Sequence, residues 1–88
     1  MRKPIFRFEF LTPGGGDRWS RNFPADCDLA AIAEGQRLLE SQAVLRPGTT
    51  MSIGVSREDA RGAHPLGTWL WSGDAADWRP PLEAADDL

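Results

Sequence analysis

Only one stretch of this sequence, residues 29–45, carries a helical hydrophobic repeat, and the apolar segments on either side of it alternate with period two. One helix can cover one face of a sheet. The chain is therefore predicted to be an α+β fold, an antiparallel sheet with a single helix on one side and its other side open.

The alternation is clearest at Ile5–Leu11, where Phe6, Phe8 and Phe10 are interleaved with Arg7 and Glu9. Thr12-Pro13-Gly14-Gly15-Gly16-Asp17 breaks that strand, and a second is expected at Arg18–Ala25, with Trp19, Arg21 and Phe23 on one side. Pro24 cannot donate to a ladder and so belongs at an edge or a strand end. The helix is predicted to follow, with Asp26 and Asp28 as N-cap candidates and an apolar stripe of Leu29, Ile32, Gln36, Leu39 and Ala43. Gly35, beside that stripe, predicts close approach of the helix to the sheet. Arg46-Pro47-Gly48 stops the helix near Leu45.

A third strand is read at Thr49–Ser56, a long polar connection at Arg57–Gly67, a fourth strand at Thr68–Ser72 and a short fifth at Trp78-Arg79. The order is β-β-α-β-β, with a possible fifth strand, in one domain over residues 1–80 and an acidic, flexible tail at 81–88. Charge is divided along the chain. Residues 1–21 carry five basic side chains against two acidic ones, and residues 73–88 carry five acidic ones against Arg79. Such halves suit different partner surfaces.

Catalysis is not expected. Gly14-Gly15-Gly16 lacks the spacing and the Lys-Ser/Thr of a phosphate loop and reads as a turn. Cys27 and His64 are the only cysteine and the only histidine, too few for a structural zinc site. As a nucleophile and base they lack an orienting third group, and Asp26 and Asp28 beside Cys27 oppose thiolate formation. No cofactor is implied. No segment is apolar for long enough to cross a bilayer, and a single cysteine with no signal-peptide core suits the cytoplasm.

The four tryptophans carry more information. Trp69 and Trp71 share one face of their strand and Leu70 the other, which leaves two arrangements. Either both rings pack beneath the helix beside Phe6, Phe8, Phe10 and Met51, or they line the open face among Arg7 and Arg18. Aromatic and arginine side chains anchor protein interfaces, so Arg7, Arg18, Arg21, Trp69, Trp71 and Trp78 are the candidate partner-binding residues. Direct nucleic-acid binding is not expected of an acidic chain, pI near 5.0, that lacks a basic stripe.

Thr49-Thr50-Met51-Ser52-Ile53, followed by Gly67-Thr68-Trp69-Leu70-Trp71 and Trp78-Arg79, resembles the C-terminal half of small phage anti-CRISPR proteins, type I inhibitors with a one-helix antiparallel sheet. The resemblance covers residues 49–79. It implies a non-enzymatic inhibitor that docks on a type I CRISPR effector complex and blocks target DNA binding or nuclease recruitment. The helix departs from the basic contact surface of that group, offering Arg37 among Glu34 and Glu40. The alternative from the residues themselves is a small bacterial accessory domain that self-associates into a homodimer through its open face or an edge strand.

Overall fold

The computed structural model describes residues 3–13 and 16–81. It is an α+β fold: β1 (Ile5–Leu11), β2 (Arg18–Pro24), α1 (Asp28–Leu45), β3 (Met51–Asp59), β4 (Gly62–Trp71) and β5 (Ala76–Arg79). The five strands form one antiparallel sheet in the order β2-β1-β3-β4-β5, and the helix lies over β3 and β4 and reaches β5. The acidic tail, beyond residue 81, and the turn glycines Gly14 and Gly15 lie outside the described residues.

Register places the large side chains on the helix side. Phe8 of β1 stands between Arg21 of β2 and Val55 of β3, and Phe10 stands between Trp19 and Ile53. The same row continues through Ile53 opposite Trp69 and Trp69 opposite Trp78. Phe6, Phe8, Phe10, Leu39 and Ile53 are fully buried, and each contributes about 1.5–3 kcal/mol through the apolar area it removes from water. Where the helix does not reach, β2 completes the cover: Phe23 lies 5.5 Å from Phe8, and Trp19 stacks on Phe10 at 5.2 Å.

The helix meets the sheet along Ala31, Gly35 and Leu39, which keeps Leu39 of the expected stripe but moves its N-terminal half from Leu29 to Ala31 and Gly35. Leu29, predicted to face inward, is 77% exposed. The smallest side chains win this position because they permit the closest backbone approach, and Gly35 behaves as its place in the sequence predicts. A Cβ there would stand 2.9 Å from Val55 Cγ2 and 3.2 Å from Trp69 Cδ1. Gly35→Ala is therefore expected to destabilise by about 1–3 kcal/mol, since overpacking outweighs the helix-propensity gain. Urea denaturation measures the sign.

The helix N-cap is Cys27, with no side-chain cap bond, in place of either aspartate. The aspartates are engaged elsewhere: Asp26 with Lys3 at 3.3 Å, and Asp28 with Arg57 of β3 at 3.0 Å. At the other end Arg46 pairs with Asp17 beside β2. Ion pairs thus tie both ends of α1 to the sheet, each half-exposed and worth about 1 kcal/mol or less.

The region 57–67 differs from the expected loop. β3 runs to Asp59 and β4 starts at Gly62, so only Ala60 and Arg61 connect them. Asp59 closes this turn by accepting the Arg61 backbone N–H at 2.7 Å, and Gly62 takes φ +118°. The register shifts beside Val55, where Gly67 pairs with Val55 but Pro65 pairs with Ser56. Leu66 is thus the extra residue of a bulge, and it packs on the core. Pro65 is tolerated because β5 pairs only with residues 68–71, which leaves that end of β4 as an edge.

Candidate functional site

The six candidate binding residues do not share a face. Trp69, Trp71, Trp78 and Arg21 lie on the helix side, and Arg7 and Arg18 lie on the open side. The first of the two arrangements open to the tryptophans is the one adopted. Trp69 donates its indole N–H to the Ile32 carbonyl at 2.7 Å, and its ring meets Trp78 at 5.1 Å in a tilted pair. A face combining Trp69 and Trp71 with Arg7 and Arg18 therefore does not exist. Arg7 is also engaged within its own sheet face, 3.3 Å from Glu9 and 3.9 Å from Glu58.

The open side has a different character. Its centre is made of small side chains, Ser52, Gly54 and Ser56 on β3 and Thr68 on β4, because β3 alternates large inward residues with small outward ones. Two adjoining hollows of about 410 and 300 Å³ lie over them and share Glu9, Gly54 and Thr68. Pro65 and Pro81 border the larger hollow, and Leu11 and Arg18 border the smaller. Leu11 and Ile5, both exposed, give the β1 side of this face apolar surface between its charges.

Gly54 is the residue that the sequence pattern did not single out. It sits in the central strand, where glycine costs conformational entropy and contributes no packing. Its φ is not positive. A Cβ there would meet only Thr68 Oγ1, at 4.0 Å. Neither the backbone nor internal packing calls for glycine, so its effect is to keep the floor of the open face low. A glycine at a solvent-facing position of an alternating strand was the available signal.

Cys27 is exposed at the helix start, and His64 faces the β3–β4 turn with Nε2 3.1 Å from Asp59. The Arg61 backbone N–H, and after it the His64 ring, hold the Asp59 carboxyl below the usual aspartate range. These groups thus serve the hairpin turn. Among the described residues, no group of three or more His, Cys, Asp or Glu side chains is placed to hold a metal ion, and no helix is long and apolar enough to cross a membrane. Compared with protein-family models, curated proteins and solved structures, the chain matches none.

Proposed function

We propose that this protein is a non-catalytic binding module that seats a partner protein on its uncovered sheet face, over Gly54. The observation that carries this reading is the glycine itself, held in a central strand at a cost of about 0.5–1 kcal/mol with no internal reason for it. A glycine in a strand interior commonly marks the close approach of a ligand or another backbone. The hollow above it offers Glu9, Ser56 and Thr68 as polar contacts and Pro65 and Pro81 as apolar ones. For the partner, the sequence resemblance supports a type I CRISPR effector complex, and the role is inhibition of target DNA binding or of nuclease recruitment.

Gly54→Thr tests the face without touching the core. It is expected to raise stability by about 0.5–1 kcal/mol, because a β-branched residue replaces glycine in a strand. It should also weaken partner capture by about tenfold or more, because a desolvated interface does not absorb an added side chain without strain. The assay is capture by a panel of purified type I effector complexes, followed by target DNA binding. Capture that is equal for both proteins would remove this face from the reading. No capture across the panel would remove the effector class. A dimer seen by light scattering and abolished by Gly54→Thr would assign the face to a second copy of the chain.

A further inference from the structure

The two edges of the sheet are unequal. β5 is four residues long and is followed by Pro80-Pro81, a blunted edge. β2 is seven residues long, has no bulge in its pairing with β1, and lies beyond the strands that the helix covers. The Thr12 N–H bonds to the Asp17 carbonyl and the Ala25 N–H to the Pro4 carbonyl, at opposite ends of the β1–β2 ladder. Alternation between these ends turns the backbone groups of Trp19, Arg21 and Phe23 toward β1. Those of Arg18, Ser20 and Asn22 therefore point away from the sheet. Pro24, the next outward position, has no N–H to lose.

The charge on this edge is also unusual for the molecule. Lys3, Arg7, Arg37, Arg46, Arg57 and Arg79 each have a carboxylate within 4.0 Å. Among the described residues Arg18, Arg21 and Arg61 have none, so two of the three unpaired cations stand on β2. Strand parity puts Arg18 on the open side and Arg21 on the helix side. Arg21 is held along the edge by its guanidinium, 5.0 Å from the centroid of the Trp19 ring.

We infer that β2, whose Arg18 also borders the smaller hollow of the open face, is a second binding site that accepts an acidic extended segment of a partner protein as a sixth strand along its free edge. Main-chain groups of Arg18, Ser20 and Asn22 supply the ladder, and the two arginines supply selectivity for carboxylates three residues apart, one on each face. A second copy of β2 fits less well. Pairing about Ser20 sets Arg21 diagonally across from its own copy on the helix side with no acid in either strand, and pairing about Asn22 sets Ser20 against Pro24, which cannot donate.

The probe is a fluorescein-labelled peptide of valine and threonine carrying two glutamates three residues apart, with a lysine counterpart of the same length. Fluorescence anisotropy should show binding of the glutamate peptide alone. Arg18→Glu combined with Arg21→Glu should weaken it by about tenfold or more and reverse the preference toward the lysine peptide. Ser20→Pro, which removes an outward N–H, should abolish binding of the glutamate peptide. Gly54→Thr should leave peptide binding unchanged, which distinguishes failure of this site from failure of the open face. Equal binding of the two peptides, no binding by millimolar concentration, or displacement by oligo-dT would overturn the inference. If Ser20→Pro fails to fold, the charge-reversed protein still decides, because loss of structure cannot reverse a preference.

Discussion

Trp69→Ala is expected to lower the unfolding free energy by about 3–5 kcal/mol, a large part of the roughly 5–15 kcal/mol available to a small domain. The ring lies where the helix, β4 and β5 meet. Its N–H bonds to the Ile32 carbonyl at 2.7 Å, and Trp78 packs against it at 5.1 Å. Gly35 leaves room for the ring, so its removal opens a cavity beneath the helix that a glycine cannot fill. Trp69→Phe keeps most of the volume and loses the hydrogen bond, and should cost less, about 1–2 kcal/mol. Chemical denaturation followed by far-ultraviolet circular dichroism measures both. A Trp69→Ala protein as stable as the parent would show that the helix does not depend on this ring. The residue is thus a poor probe of partner binding, since lost binding in Trp69→Ala would report unfolding.

The second large effect is expected at Gly67, where two independent penalties coincide. Its φ is +147°, a region that side-chain-bearing residues rarely adopt. A Cβ would stand 2.4 Å from Trp78 Cζ2 and 2.5 Å from the Arg79 carbonyl oxygen. The second contact is backbone and cannot rotate away, so β5 must move. Gly67→Ala should cost about 3 kcal/mol or more, combining strain with overpacking. It should also strip amide-exchange protection from residues 76–79 before the rest of the sheet. Gly48 is the comparison. Its φ is +79° and nothing lies within 4 Å of a Cβ there, so Gly48→Ala should cost only about 1–2 kcal/mol. Equal costs at the two positions would show that the contact with β5 is not what holds Gly67 as glycine.

Much of the architecture was legible from local pattern. Phe6, Phe8 and Phe10 are inward on β1, the helix ends at Leu45 as Arg46-Pro47-Gly48 requires, and Gly35 faces the sheet at close range. Where reading by pattern went astray, the competing influence was another part of the chain. Asp26 and Asp28 are good capping residues, but Lys3 and Arg57 engage them and Cys27 takes the cap. Residues 57–67 have a loop composition, yet 57–59 extend β3 and pair with 62–64 of β4, and a bulge at Leu66 absorbs the register mismatch. The candidate site was less legible still. Parity showed that Trp69 and Trp71 share a face but carried no sign for which face it is, and Gly54 looked like one small residue among others.

By itself the sequence determined the elements, their order, and which side chains of each strand stand together, because period and breakers act within a few residues of one another. Only the tertiary structure decided that the tryptophans turn inward, that β2 is the long bare edge, and that Gly54 lies at the centre of the uncovered face. Those outcomes depend on register between strands far apart in sequence, such as Phe10 opposite Ile53. No short turn joins β1 to β3, so their register is set by which of the alternating side chains fit together beneath the helix.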